Sequence, residues 1–287
     1  MIMKHTINFG SYSATVDDHG AELVSLTYNK KEYMWQGSIW AEHAPVLFPI
    51  VGRVAGTVSY RGQEYTMPKH GFIKDRDLIV VDKTESSLTL EYKWADCDYE
   101  VFPFKFIFRA IFALGEGGLK VDFEVENLDE KEMILQFGWH PGFALHGEGS
   151  IENFTLDFGA DCCPMKHLTT ETKFVSGAVS SFPLDNGVYK LSEEEIYTDD
   201  TIILSETLGK VVMASPDTPE VLTLTYTDNL PYLAIWKWPR TEARYLCLEP
   251  WGGIPSDGVS KEVLEERVSR RIAPGATEVY SYTVECK

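Results

Sequence analysis

Hydrophobic and polar residues alternate with a period of two along much of the chain. In residues 119–125, Leu, Val and Phe occupy every second position, with Lys, Asp and Glu between them. The same alternation is found in residues 88–93, 104–109, 222–226 and 280–284. Because successive side chains of a strand point to opposite faces of a sheet, each segment is predicted to be a β-strand with one buried face.

Turn signals separate these segments, and long helical patterns are missing. Gly, Asn, Asp or Pro mark turns at residues 61–62, 115–118, 127–129, 185–187 and 274–275. Two short helices are predicted, one beginning at Ser192 with a capping box completed by Glu195 and one within residues 260–267. Residues 162–186 are poorly periodic and are predicted to be rich in loops. The pattern favours an all-β fold of the sandwich type, and the lack of a linker predicts one domain over residues 1–287.

Composition is compatible with this fold. A chain of 287 residues can bury a large core without a metal or disulfide to stabilise it. Aromatic residues make up 13% of the chain, which is high. Most of these rings suit the interior of a β-fold, but an aromatic ring is also a flat, rigid surface on which a sugar can stack.

Charge and cysteine content exclude several classes of protein. A formal net charge of −18 disfavours nucleic acids and anionic membranes as partners, but argues only weakly against a phosphorylated substrate. The five cysteines are odd in number and form no Cys-x-x-Cys motif, which suits a reducing, cytoplasmic location. The N-terminus lacks the apolar core of a signal peptide, and no apolar run approaches the ~20 residues of a membrane span.

Four short segments interrupt the alternating background. They are residues 48–53 (FPIVGR), 69–72 (KHGF), 138–143 (GWHPGF) and 248–253 (LEPWGG). Each combines a polar or ionisable side chain with glycine, proline or an aromatic ring. This is the composition of shaped loops at strand ends, where functional residues are often found.

Two residues in these segments precede proline, namely His140 and Glu249. A residue before proline is restricted to extended backbone angles, so its side chain leaves the backbone in a limited range of directions. Such orientation favours a catalytic acid or base. The alternative is structural: both dipeptides also occur in ordinary turns, His70 before glycine can cap a turn, and Arg53 can form a surface ion pair.

No motif indicates a metal or cofactor. The remaining histidines are predicted to lie on the surface or in loops: His5, His19, His43, His146 and His167. The chain has no His-x-His or His-Glu-x-x-His spacing, no glycine-rich nucleotide loop and no Gly-x-Ser-x-Gly motif. We therefore expect no metal and no cofactor.

In their order and spacing, the four segments resemble the aldose 1-epimerase (galactose mutarotase) family, in particular a bacterial branch of incompletely assigned substrate. The resemblance extends from residues 20–26 (GAELVSL) through 33–37 (YMWQG) to 273–275 (APG). It implies a large twisted antiparallel β-sandwich with very few short helices. It also implies an isomerase of carbohydrate metabolism whose partner is a small-molecule aldose.

The resemblance assigns roles to individual residues. It implies that His140 is the general acid, that Glu249 is the general base, and that His70 binds substrate and supports the change of charge. Arg53 and Asp200, or Asp199 in its place, match the substrate-binding arginine and aspartate of the family. The chain departs from the pattern at residues 55–57, where Ala-Gly-Thr stands in place of the family's second arginine.

These residue types suit the exchange of α and β anomers. A base takes the proton of the C1 hydroxyl, an acid protonates the ring oxygen, and the opened aldose recloses on its other face. We expect His140 and Glu249 to reach opposite sides of this hemiacetal. An aromatic wall for the apolar face of the sugar is expected from residues beside these groups, although each ring could instead belong to the core: Phe72, Trp139, Phe143 and Trp251.

Three alternatives remain open. A hexose-6-phosphate 1-epimerase needs a cationic patch, for which Lys237, Arg240 and Arg244 are candidates. A non-catalytic carbohydrate-binding module could use the same scaffold, since a fold does not dictate function. A metal-dependent enzyme could use His70, His140 and Glu249 as ligands. The sequence leaves monomer and homodimer equally open.

Overall fold

The computed structural model describes residues 3–199, 201–258 and 261–287. Most of its elements are β-strands. The first strands in chain order are β1 (Lys4–Phe9), β2 (Tyr12–Asp17), β3 (Glu22–Tyr28), β4 (Lys31–Glu32), β5 (Val46–Leu47), β6 (Thr57–Tyr60), β7 (Gln63–Tyr65), β8 (Ile79–Lys83), β9 (Ser87–Lys93), β10 (Phe106–Gly115), β11 (Gly118–Asn127), β12 (Met133–Leu135) and β13 (Gly138–Trp139). The next are β14 (Gly142–Ala144), β15 (Thr155–Asp157), β16 (Met165–Thr169), β17 (Val175–Ser181), β18 (Val188–Lys190), β19 (Thr201–Ser205), β20 (Lys210–Ala214), β21 (Val221–Tyr226), β22 (Tyr232–Trp236), β23 (Tyr245–Trp251), β24 (Lys261–Val263), β25 (Arg270–Ile272) and β26 (Thr277–Cys286).

Helical structure in the described residues is short. The α-helices are α1 (Asp96–Tyr99) and α2 (Glu193–Asp199), and the 3₁₀ helices are Ile73–Asp75, Ile151–Asn153 and Leu264–Glu266. None of the helices in the described ranges is long and apolar enough to cross a membrane. The predicted all-β fold with very few short helices is confirmed.

Two large antiparallel sheets form the sandwich. One has the strand order β18-β15-β20-β21-β26-β11-β10-β9-β8, and the other has the order β17-β16-β19-β22-β23-β13-β5, with β14 also paired to β23. A sheet of β1–β4, a β12–β25 pair and a small β24-β6-β7 sheet complete the fold. Within this last sheet, β24 and β6 are parallel.

Aromatic side chains fill the space between the two large sheets. The ring of Trp139 in β13 lies 6.1 Å from that of Phe123 in β11 and 5.2 Å from that of Tyr282 in β26. Strand β10 alternates buried and partly exposed residues along its whole length. The period-two pattern of the sequence is therefore the pattern of one buried and one solvent-facing side of the nine-stranded sheet.

Several local predictions are confirmed. Strands occupy the segments in which alternation predicted them, and Arg61 and Gly62 both have positive φ between β6 and β7. Helix α2 begins after Ser192, whose hydroxyl accepts a hydrogen bond from the Glu195 N–H at 3.2 Å.

Two local predictions hold only in part. Residues 162–186 contain β16 and β17, and β17 escaped prediction because nearly all of its residues are exposed, so no alternation is required. In the segment 260–267, residue 260 lies outside the described residues, Lys261–Val263 is a strand and only Leu264–Glu266 is helical. Parallel pairing of β24 with residues 57–59, about 200 positions away, decides that conformation.

Candidate active site

Strand β23 is the base of the candidate site. All seven of its residues are buried, which means that both of its faces are covered. Leu246 and Leu248 belong to the main core between the sheets. The alternate residues therefore point to the other face, where Glu249 and Trp251 line a cavity.

The neighbouring strand is interrupted opposite Glu249. Gly138 of β13 pairs with Trp251, and Gly142 of β14 pairs with Cys247, in one common register. That register places His140 directly across from Glu249, as a cross-strand pair at the break between β13 and β14. The prolines that follow both residues have no N–H to donate to a ladder, so an interrupted pairing suits them. Glu249 therefore lies inside a strand, and the prediction that its segment is a loop at a strand end is wrong.

His140 and Glu249 contact each other in a buried environment. The Nε2 atom of His140 lies 3.3 Å from Oε1 of Glu249, and the two residues are 8% and 1% exposed. Apart from this contact, neither carboxyl oxygen of Glu249 has a hydrogen-bond partner among the described residues, and Nδ1 of His140 has none either. The rings of Trp40 and Trp236 lie 5.0 Å and 5.4 Å from the imidazole. The pair thus has free hydrogen-bonding capacity at an aromatic-walled cavity.

His70 reaches the same cavity from a tight turn. It has a φ of +63°, a region that non-glycine residues seldom adopt and that often marks functional sites. Gly71 follows with a φ of +71°, and a Cβ there would lie 1.9 Å from the Phe48 carbonyl oxygen. Glycine is therefore required at this position, and it fixes the path of the histidine loop.

A backbone hydrogen bond sets the tautomer of His70. The Gly52 N–H donates to its Nδ1 at 3.1 Å, so the neutral ring carries its proton on Nε2. The His70 ring meets that of His140 edge-on, with centroids 5.7 Å apart. Two imidazoles and one carboxyl group are therefore gathered from three distant segments.

The cavity has a volume of about 220 Å³. It brings together five of the predicted site residues: Arg53, His70, His140, Glu249 and Trp251. The other lining residues are Trp40, Glu42, Gly52, Lys69, Thr169, Lys173, Thr201, Ile203, Trp236, Trp238 and Pro255.

Three predicted wall residues lie elsewhere. Phe72, Trp139 and Phe143 are buried in the main core and are not among the residues that line the cavity. Trp139 and Phe143 lie one and three positions from His140, and odd offsets in an extended chain place side chains on the opposite face. The expectation that they form the sugar-facing wall is corrected accordingly.

Other tryptophans form the aromatic wall. Trp40, Trp236, Trp238 and Trp251 line the cavity, and Trp251 satisfies the same parity rule because it lies two positions after Glu249. Sequence reasoning missed the first three. The pattern Trp-Lys-Trp at 236–238, which places two tryptophans on one face of an extended chain, was an available signal.

Cationic side chains surround the cavity mouth. Arg53 and Lys69 are exposed lining residues, and Lys173 lines the cavity as well. The acid Glu42 accepts a hydrogen bond from the Trp40 indole at 3.2 Å and lies 3.5 Å from the ammonium group of Lys74. Three cations thus line the cavity beside the acids Glu42 and Glu249, whereas acids outnumber bases over the whole chain.

The remaining predicted residues are accounted for as follows. Asp200 lies outside the described residues, as does the side chain of Asp199; their neighbour Thr201 lines the cavity. Lys237 is buried and its ammonium group donates to the Thr241 carbonyl at 2.7 Å. The Arg244 guanidinium donates to backbone carbonyls, including that of Leu145 at 3.2 Å. Arg240 is exposed, and none of these three cations lines the cavity.

Burial controls the protonation of the site. It raises the pKa of Glu249 well above the usual 4.5, while the Lys69 ammonium opposes this shift. Burial, assisted by the charge of Lys69, lowers the pKa of His140 to about 3. Burial, followed by the charges of His140 and Lys69, also lowers the pKa of His70 well below its usual value. Burial therefore disfavours the charged form of both groups and favours a neutral imidazole beside a neutral carboxyl group.

A second cavity, of about 320 Å³, lies on the other side of Pro255. Its charged groups are largely engaged with each other, because the guanidinium of Arg267 contacts the carboxylate of Glu262 and the Ser256 hydroxyl donates to the same carboxylate. Its Arg267 and Glu262 thus pair with each other, unlike the acid and base of the first cavity, which keep free hydrogen-bonding capacity.

Known proteins share this architecture. A galactose mutarotase-like protein from Lactobacillus casei is 27% identical with a TM-score of 0.93, over 99% of this chain and 100% of that one. A galactose mutarotase related enzyme from Lactobacillus acidophilus is 29% identical with a TM-score of 0.91, over 99% and 97%. A galactose 1-epimerase from Lactobacillus acidophilus is 12% identical and shares the fold with a TM-score of 0.75, over 100% and 94%.

Sequence comparison leads to the same group. None of the curated proteins matches the chain. The profile of the aldose 1-epimerase family matches residues 3–259, which is nearly the whole chain and includes every residue of the cavity. By this match, the chain belongs to the aldose 1-epimerase family.

Proposed function

We propose that the protein is an aldose 1-epimerase that interconverts the α and β anomers of an aldose in the cavity of His140 and Glu249. The observation that carries the proposal is the 3.3 Å contact between the His140 Nε2 and Glu249 Oε1 atoms at the wall of this cavity. Both groups have hydrogen-bonding capacity that no described residue uses. Membership of the family supports the same assignment.

Adjacent positions of the acid and base suit the hemiacetal. Its two reacting oxygens, the C1 hydroxyl and the ring oxygen, are both bonded to C1. An acid and a base that lie side by side can therefore serve both oxygens at once. The 3.3 Å contact supports this arrangement rather than an approach from opposite sides of the sugar.

The pair of His140 and Glu249 holds one transferable proton both before and after ring opening. In ring opening, the Glu249 carboxylate takes the C1 hydroxyl proton while protonated His140 gives its proton to the ring oxygen. The C1–ring oxygen bond breaks, the C1 aldehyde forms, and the pair is left as carboxylic acid and neutral imidazole. After rotation about C1–C2, both transfers run in reverse and the ring closes to the other anomer.

The neutral pair that burial favours is the product state of this first step. Ion pair and neutral pair hold the same single proton, so they interconvert by a transfer across the 3.3 Å contact. Sugar hydroxyls that donate to the carboxylate, together with the nearby Lys69 ammonium, stabilise the ion pair needed for opening. The protein therefore supplies one acid and one base without an external proton source.

His70 and Arg53 are assigned to substrate binding. The Nε2–H of His70 is free to donate, because its Nδ1 accepts the Gly52 N–H. Arg53 follows Gly52 in the chain and lines the mouth of the same cavity. Trp236, Trp238 and Trp251 offer flat apolar surfaces to the carbon face of the sugar.

Polarimetry of freshly dissolved α-aldoses tests the proposal. We expect the wild type to accelerate the approach to anomeric equilibrium, and the His140→Gln variant to lose most of that acceleration. His167→Gln is the control, because His167 bonds to Ser205 and is not a cavity residue. If calorimetry detected sugar binding while NMR detected no anomer exchange, the chain would be a carbohydrate-binding module instead.

The cationic mouth favours a second candidate, a hexose-6-phosphate 1-epimerase. The supporting observation is that Arg53, Lys69 and Lys173 line the cavity of a chain whose net charge is −18. Inhibition by inorganic phosphate or sulfate, and a loss of kcat/KM in Arg53→Ala for sugar phosphates but not for free sugars, would favour it. Indifference of the wild type to both anions would count against it.

A further inference from the structure

Cys247 lies beside the acid–base pair. It is two positions before Glu249 in β23, so both side chains leave the strand on the same face. One donor atom each from His140, Cys247 and Glu249 lies within 4.8 Å of the others, and all three residues are buried. Neither the sequence patterns nor the proposed reaction assigns a role to this thiol.

From this cluster we infer a binding site for a thiophilic divalent cation of the zinc class, with His140, Cys247 and Glu249 as its protein ligands. Thiolate, imidazole and carboxylate are the three ligand types that zinc takes from proteins. Three protein ligands with one open position are typical of accessible zinc sites. Since His140 and Glu249 line the cavity, the open position faces the space that we assign to the sugar.

The unpartnered carboxyl group is a second, independent indication. Glu249 is 1% exposed, and apart from the contact of Oε1 with His140 Nε2, neither of its oxygens has a hydrogen-bond partner among the described residues. A buried polar group without a partner is costly, and a bound cation would relieve that cost. One thiolate and one carboxylate also balance the charge of a dication, which leaves the buried site neutral.

The geometry requires a small adjustment. Zinc bonds of about 2.0–2.3 Å place tetrahedral ligand atoms roughly 3.3–3.8 Å apart. The His140 to Glu249 distance of 3.3 Å already meets this requirement. The widest separation in the cluster, within 4.8 Å, must shrink by about 1 Å, which is within reach of a side-chain rotation.

We expect metal binding at this site to inhibit the proposed epimerase reaction. An ion bound to His140 and Glu249 occupies the atoms that transfer protons, so metal and aldose exclude each other. This consequence rests on the proposed function, whereas binding of the ion does not. The site is distinct from a cofactor site, because the reaction needs both groups free.

Cobalt(II) is the probe for the experiment. Chelator-treated protein is titrated with Co²⁺, and the sulfur-to-cobalt charge-transfer band and the visible d–d bands are recorded. We expect one equivalent to bind with both sets of bands in the wild type and in Cys163→Ser, an exposed cysteine that serves as control. In Cys247→Ser the charge-transfer band should vanish.

A second variant keeps the test independent of how well the cysteine variant folds. His140→Gln should lower the affinity for Co²⁺ and Zn²⁺ by more than about tenfold, since loss of even an outer-shell partner costs about 10–100-fold. Absence of the charge-transfer band in the wild type, its persistence in Cys247→Ser, or unchanged affinity in His140→Gln would each overturn the inference.

Competition separates this inference from the proposed function. Displacement of Co²⁺ by an aldose supports both. If the Cys247-dependent band forms but no aldose displaces the ion and none mutarotates, the proposed function fails and the metal site stands. If the protein mutarotates aldoses but never develops the band, the metal site fails alone.

Discussion

Replacing Glu249 with glutamine removes the proposed base while keeping the size of the side chain. The folded protein should tolerate this change well. Because burial raises the pKa of Glu249, the folded state prefers the protonated carboxyl, and its contribution to stability is full below the unfolded pKa of about 4.5. That contribution is lost as pH rises through the folded pKa. A neutral amide has no such loss, so Glu249→Gln should be at least as stable as wild type in alkaline solution.

The expected loss of activity is large. A positioned proton transfer contributes about 10²–10⁴-fold to a rate, which corresponds to roughly 3–5 kcal/mol of transition-state stabilisation. The amide cannot accept the C1 hydroxyl proton, so kcat should fall by that factor. Trp236, Trp238 and His70 are untouched, and KM should therefore change much less than kcat.

The assay combines kinetics with stability. Rates of α-to-β conversion are measured by polarimetry, corrected for the uncatalysed reaction, and thermal unfolding is followed across pH. Glu116→Gln, at the exposed tip of the β10–β11 hairpin, is the matched control and should leave both rate and stability unchanged.

Two outcomes would refute the reasoning. A rate within about threefold of wild type would show that Glu249 is not the base. A fall in rate accompanied by a melting temperature well below wild type at alkaline pH would show that the carboxyl supports the fold as an ion, contrary to the direction of its pKa shift.

Three further predictions follow from the packing and burial around the site. An NMR titration of the His140 imidazole should show no inflection near the ordinary histidine pKa of about 6.5, because burial lowers the pKa of His140 to about 3; an inflection of its resonances at 6.5 would contradict this. Gly71→Ala should lose about 2–4 kcal/mol in chemical denaturation and most activity, since its Cβ would lie 1.9 Å from a backbone carbonyl oxygen. Gly62→Ala, whose φ is +82° in open space, should lose only about 1–2 kcal/mol, and equal losses would reject the steric argument. Asp98→Asn should cost about 3–5 kcal/mol, because it leaves the Arg76 guanidinium without its buried carboxylate; a cost below about 1 kcal/mol would show that this ion pair is dispensable.

Alternation along the chain predicted five of the strands that have one solvent-facing side. Strands β9, β10, β11, β21 and β26 form one sheet whose outer face is in water, so each must alternate apolar and polar residues. Strand β23 has both faces covered and shows no such alternation, and β17 is exposed on nearly every residue. The conformations of β23 and β17 depend on residues that are distant in sequence. A local sequence pattern contains no information about those residues.

The candidate site shows the same difference between features that local sequence predicts and features that depend on distant segments. The chemical groups His70, His140 and Glu249 were identifiable from the residues and from their resemblance to a family, and parity alone could have assigned Trp139 to the core and Trp251 to the cavity. Nothing local predicts that Trp40 and Trp236 enclose the imidazole. Those contacts exist because sheet pairing brings together segments separated by about a hundred residues or more.

The sequence by itself determined the fold class, five strands of the nine-stranded sheet and the imidazole and carboxyl groups proposed for the site, because each depends on local alternation, on residue type or on the resemblance to a family. Only the tertiary structure decided that His140 and Glu249 are cross-strand partners 3.3 Å apart, that Cys247 lies beside them, and that burial shifts the pKa of both groups towards their neutral forms. Distances and burial are properties of strand register and packing. They arise only when β13, β14 and β23 are paired within the same sheet.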